Sequence, residues 1–158
     1  MKKASILITL MLAVITASAQ FQEKDSLNQS VEKPENVAIT LGFLHGGGGL
    51  VGMDLEVLVH KYIGIEVGAG VVSYGGSLNI HPKGGIRSSA IRINYWHQGI
   101  GDTYVQALLG PAFQYRSKGG FTANLGLAAR IEEGPAITEK LQKTEAVLTY
   151  GVGYYFGF

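Results

Sequence analysis

Residues 121–132 read FTANLGLAARIE. Phe121, Ala123, Leu125, Leu127, Ala129 and Ile131 alternate with Thr122, Asn124, Gly126, Ala128, Arg130 and Glu132. A period of two places the first set on one side of a β-strand and the second on the other. The apolar side carries no charge. The opposite side is not the Lys- and Glu-rich face that bulk water favours; it is built from small and neutral polar residues with single charges spaced apart. That composition suits the inside of a narrow tube, where space is limited.

The same pattern extends both ways along the chain. It predicts strands over 37–45, 50–60, 62–72, 87–97, 103–116, 120–132 and 145–158, with a short, weakly patterned one at 77–81. In 50–60, Val51, Met53, Leu55, Val57 and Val59 alternate with Gly52, Asp54, Glu56, Leu58 and His60. In 145–158, Leu148, Tyr150, Val152, Tyr154, Phe156 and Phe158 alternate with Thr149, Gly151, Gly153, Tyr155 and Gly157. The breaks fall at 46–49, 73–76, 98–102 and 133–144, alternating with tight turns near Lys61, at Pro82–Gly85 and near Lys118. Pro111 stands inside a strand, where its missing N–H predicts a bulge at Gly110–Pro111. In a soluble sandwich or lipocalin-like barrel the apolar face would turn inward and the polar face would be rich in lysine. Here lysine keeps to the N-terminal segment, the turns and the 133–144 loop. The expectation is an all-β fold over 37–158: a closed antiparallel up-and-down transmembrane β-barrel of eight strands.

Composition narrows the function. The 158 residues carry a formal net charge of +1 and no cysteine. There is no basic surface to hold nucleic acid, no disulfide framework and no thiolate chemistry. Lys2 and Lys3, the apolar run Ile6–Ile15 and Ala17-Ser18-Ala19 form a signal-peptide pattern over 1–19, with cleavage expected between Ala19 and Gln20. Residues 20–36 read as a flexible polar leader. Export places the protein in the cell outer membrane of a Gram-negative bacterium. Under that topology the longer loops lie outside. Tyr115, Phe121, Phe156 and Phe158 form an aromatic girdle near the periplasmic end, and Phe43 and Tyr95 one near the outer end.

The last residues, Gly151-Val-Gly-Tyr-Tyr-Phe-Gly-Phe158, carry a more specific likeness. Over about 37–158 the chain resembles the small eight-stranded outer-membrane barrels of the OmpA-transmembrane and OmpX type. Members end on an aromatic residue with another aromatic or apolar residue two earlier and a glycine three before that, as Phe158, Phe156 and Gly153 do here. The resemblance implies that this ending is an assembly signal read by the barrel-assembly machinery. It also implies periplasmic chaperones during biogenesis, contact with outer-membrane lipid and lipopolysaccharide, and a monomeric, porin-like shape without cofactors.

Catalytic patterns are weak. Lipid-A deacylases among the small barrels pair His-x-Ser on one strand with a carboxylate, an activated nucleophile. His60, His81 and His97 are followed by Lys61-Tyr62, Pro82-Lys83 and Gln98-Gly99, and none matches. The four histidines lack metal-ligand spacing. Gly46–Gly49 has no phosphate-loop lysine and reads as a flexible hairpin loop. The inward charges say more. Asp54, Glu56, Glu66, Arg92, Arg116, Arg130 and Glu132 are expected to pair inside the barrel and plug it, since unpaired charges there would each cost several kcal/mol. The expected role is non-enzymatic: a structural or surface-interaction barrel acting through its outer loops. A lipid-A-modifying enzyme and a small-solute channel are the alternatives.

Overall fold

The computed structural model describes residues 35–137 and 146–158. The expected signal peptide 1–19, its Ala19–Gln20 junction, the leader up to residue 34 and residues 138–144 of the long loop lie outside the described residues.

Eight strands follow one another: β1 Val37–Phe43, β2 Val51–His60, β3 Ile63–Gly70, β4 Ser73–Ile80, β5 Ala90–Gln98, β6 Gln106–Arg116, β7 Phe121–Glu133 and β8 Ala146–Gly157. Each is antiparallel to the next, and β8 returns to β1 to close the barrel. The seam runs from Ala38↔Gly157 to Phe43↔Val152. Closure leaves no edge strand, so the ladder satisfies the backbone all the way round. The connections β1–β2, β3–β4, β5–β6 and β7–β8 gather at one end, the upper mouth. The other three connections and the chain around Asn36 and Phe158 form the lower mouth.

The alternation sorts the faces as read from the sequence. Thr40, Asp54, Glu56, Glu66, Asn79, Arg92, Asn94, Gln114, Arg116, Thr122, Asn124 and Thr149 are buried inside, whereas Leu41, Met53, Ile65, Leu78, Ile93, Leu125, Leu148 and Val152 are exposed outside. The interior is not wholly polar. Near the upper end Trp96, Leu108 and Ala128 pack with Val147; near the lower end Ala38, Ile86 and Tyr155 pack with Leu58. Charge and amide groups fill the space between these apolar clusters.

Three expectations are corrected. The fourth strand is not a stub: β4 starts at Ser73 and has 8 residues. The turn before it is Val71–Val72, with Val72 at φ 53. Gly75 and Gly76 look like turn residues but lie in the strand. At Gly75 the need for glycine is close approach, because a Cβ there would lie 2.9 Å from the Cα of Gly47. No bulge accommodates Pro111: the register with β7 is the same on either side of it, at Leu109↔Ala129 and Ala112↔Gly126. Gly110 and Pro111 still align with Asn94 and Ile93 of β5, so the missing N–H is absorbed as a local gap in one ladder. The bulge sits instead between Ala107 and Leu108, which pair with Glu132 and Arg130. Ile131 is the extra residue, and one extra residue reverses every face beyond it. Glu132 therefore leaves the interior and is exposed on the outside.

Candidate functional site

The sequence expects 46–49 to be a hairpin loop at the upper mouth. Instead the segment 44–50 folds down into the barrel. His45, Gly46, Gly47 and Gly49 are all buried. His45 Nδ1 lies 2.6 Å from Asp54 Oδ2, and the Gly46 N–H donates to Asp54 Oδ1 at 2.9 Å. Ser73 Oγ donates to the Gly46 carbonyl at 2.6 Å. The chain can enter because the strands that meet it are small there. A Cβ on Gly42 would lie 2.6 Å from the His45 ring, and one on Gly68 would lie 3.1 Å from the Gly46 Cα. This is the upper plug.

A second segment closes the lower mouth. The connection between β4 and β5 turns inward at His81, which is fully buried, and Ile86 caps the lower apolar cluster. Arg116 donates to the Ile86 carbonyl at 2.5 Å. On the outer side of the turn, Arg87 makes a two-toothed pair with Glu35 at 2.7 and 2.6 Å, tying the chain entering β1 to the plug.

Between the plugs the expected inward charges do pair. Glu56 is the hub of one network: Asn79 Nδ2 donates to its Oε1 at 2.6 Å, His81 Nε2 lies 2.8 Å from the same oxygen, and Arg116 reaches Oε2 at 2.6 Å. The Arg116 guanidinium also lies over the Tyr155 ring, 4.9 Å from its centre. Arg92 pairs with Glu66 and donates to Ser77 Oγ at 2.8 Å. Arg130 sits higher, donating to Gln106 Oε1 at 2.9 Å and pairing with Glu133 at 3.2 Å. Removing one member of such a buried pair typically costs about 3–5 kcal/mol, because the partner's charge is then uncompensated. Of the seven charges expected inside, Asp54, Glu56, Glu66, Arg92, Arg116 and Arg130 lie there and Glu132 does not; the sequence reading missed the groups that complete them, His45, His81, Asn79 and Ser77. No local pattern marks the two histidines, because each meets its carboxylate only when a connection folds back.

Ser88, His81 and Glu56 have the residue types of nucleophile, base and orienting carboxylate. Their hydrogen bonds serve another end. Ser88 Oγ donates to the Gly85 carbonyl at 2.9 Å, and His81 Nδ1 lies 3.2 Å from both the carbonyl and the hydroxyl of Ser88. The Ser88 hydroxyl proton is thus given to the Gly85 carbonyl inside its own turn and is not presented to His81. Among the described residues no three His, Cys, Asp or Glu side chains gather to hold a metal ion.

The residues expected to form an assembly signal lie at the seam. Phe156 and Phe158 are exposed on the outside, and Gly153 pairs with Gly42 of β1. The Phe158 N–H donates to the Val37 carbonyl at 2.8 Å, and its own carbonyl accepts from Asn36 at 2.9 Å. Outside the upper rim, the His97 ring is stacked between Tyr74 and Tyr104, with centroids 4.4 and 4.2 Å away. Burial, helped by the Glu132 carboxylate, pushes the Tyr104 hydroxyl up to about 12. The misplaced Glu132 thus belongs to an aromatic cluster on the rim. Compared with known proteins, the chain gives no significant match to any protein-family model, curated protein or solved structure.

Proposed function

We propose that this chain is an integral outer-membrane β-barrel with a plugged lumen and a structural or surface-interaction role, its short-turn end facing the periplasm. One observation carries the reading. The barrel is apolar on its outside and polar on its inside, the reverse of a water-soluble protein. From Phe43, Val51 and Val67 round to Tyr150, Val152 and Phe156, large apolar side chains stand exposed at 38–65% on successive strands. Within the described strands, the charged side chain on that face is Glu132, at the upper rim of β7. Soluble monomers rarely expose apolar patches beyond a few hundred Å²; a lipid-facing barrel requires a continuous belt. Aromatic side chains mark both ends of it, Phe43 and Tyr74 above, Tyr62, Tyr115, Phe121 and Phe158 below.

Membrane fractionation combined with gel mobility before and after boiling tests the reading. The expected result is recovery with the outer membrane and a mobility that shifts on heating, as a detergent-resistant barrel gives. A soluble periplasmic protein without a mobility shift overturns it. The two plugs favour this role over a solute channel, and the Ser88 hydroxyl's bond to the Gly85 carbonyl favours it over an acyl-transfer enzyme.

A further inference from the structure

The upper plug sits in a seat made for bare backbone. Gly46, Gly47 and Gly48 all have positive φ, 64, 80 and 83°. A Cβ on Gly47 would fall on the Tyr74 carbonyl, and one on Gly48 would lie 2.6 Å from Gln98 Nε2 and 2.7 Å from the Trp96 ring. Two non-glycine residues with left-handed backbone flank the seat, Leu44 at φ 57 and Val72 at φ 53. Such strained residues gather at clamps and switches, where the surroundings must hold them. Beneath the plug a cavity of about 10 Å³ remains, lined by His45, Asp54, Glu66, Arg92, Trp96 and Asn124. That is room for about one water molecule. His45 Nε2, Glu66 Oε2, Arg92 Nε and Asn124 Oδ1 are buried there without a hydrogen-bond partner.

The chemistry of the seat changes when the plug lifts. His45 and the Gly46 N–H leave together, and Asp54 loses both partners it has in the plug. Glu66 keeps Arg92 and Ser77. The vacated pocket therefore presents a carboxylate stripped of both its hydrogen-bond partners in the plug. Around it stand the strand backbone at Ala69 and Tyr74 that Gly46 and Gly47 had lain against, the Ser73 hydroxyl and the Trp96 ring. The Asp54 carboxylate and the Trp96 aromatic face dominate this set, which suits a cation that brings N–H donors. Whatever replaces the plug must restore the donors Asp54 lost, since a buried bare carboxylate is strongly unfavourable.

We propose that the upper half of the lumen is a binding site for a small organic ammonium compound, and that the segment 44–50 is a built-in competitor that fills the site when the compound is absent. Asp54 is the anionic anchor and Trp96 the wall. The lower plug stays in place, so the site is a pocket open at the upper mouth and not a pore. Neither the seat nor its occupant depends on what surrounds the barrel.

Trp96 is the single tryptophan of the chain, so its fluorescence reports on the plug directly. The experiment titrates the full chain, folded in detergent micelles, with ethanolamine hydrochloride, against sodium chloride at equal ionic strength. The expected result is a saturable change in Trp96 emission with ethanolamine alone. Asp54→Asn should weaken apparent affinity about ten-fold or more. Gly47→Ala, which cannot seat beneath the Tyr74 carbonyl, should tighten it about ten-fold, because a competing state is removed. His45→Ala, which unclips the plug without touching the seat's walls, should also tighten it and provides the same reading if Gly47→Ala does not fold. No saturable change, Asp54→Asn binding like the parent chain, or a folded plug variant that binds more weakly would each overturn the proposal. Heat-shifted mobility establishes folding in every case, so a failed pocket is distinguishable from a failed barrel.

Discussion

At the scale of single residues, facing direction decides what a side chain can be. Leu127 at the middle of β7 points outward opposite Leu148, whereas Ala128 beside it points in and packs with Trp96 and Leu108. In the proposed membrane setting Leu127→Arg should destabilise the barrel by about 2–4 kcal/mol, the cost of a cation near the bilayer midplane. Ala128→Ser adds one hydroxyl to a small apolar cluster and should cost on the order of 1 kcal/mol. Urea unfolding of both variants in lipid vesicles checks this; equal tolerance would mean that β7 faces the other way. Both directions were legible in the alternation at 121–132. The direction of Glu132 was not, because the extra residue at Ile131 leaves no local mark. The strand pattern around it is unbroken, and only the pairing partner on β6 reveals the slip.

At the scale of elements, β8 closes the barrel, and Phe158 just beyond it forms part of the closure. Phe158 exchanges backbone hydrogen bonds with Val37, and its carbonyl is shared with Asn36. Its ring is largely exposed, at 65%, so its own burial contributes little to the folded barrel. Deleting Phe158 should nevertheless lower the yield of heat-modifiable barrel in cells well below that of the parent chain. The same deletion refolded from urea into detergent should lose much less. Equal yields in cells would mean that the C-terminal aromatic ending is not read during assembly. The strands themselves were readable to within a few residues, β4 excepted. Its glycines, Gly75 and Gly76, have the composition of a turn, and the true turn contains Val72 in a left-handed backbone that valine rarely adopts.

At the scale of the whole molecule, the two inward-folded connections make the lumen a closed chamber. An eight-stranded barrel has room inside for little more than side chains. Here, abundant inward glycine makes room for a length of backbone as well, and that room is then taken. Planar-bilayer recording of the purified protein should show no stable, porin-sized conductance steps, and Gly47→Ala should be equally silent because His81, Ile86 and Arg116 still close the lower mouth. Large steady steps in the parent chain would mean that the plugs do not seal and that the polar interior is a path.

The sequence by itself determined the faces, the strand order and the closed eight-stranded barrel. These follow from alternation along each strand and from connection length, which are local properties of the chain. It also determined which charges lie inside, up to the bulge. The tertiary structure alone decided how those charges pair and what fills the space between them. Room for the upper plug exists only because Gly42, Gly52, Gly68, Gly70 and Gly75, on four different strands, come to one level of the barrel. The histidines behave alike: His45 and His81 are unremarkable in sequence. Each acquires a carboxylate, Asp54 or Glu56, only because a connection turns inward where the lumen is wide enough to receive it. Free volume inside a barrel is a sum over all its strands, and no single stretch of sequence contains that sum.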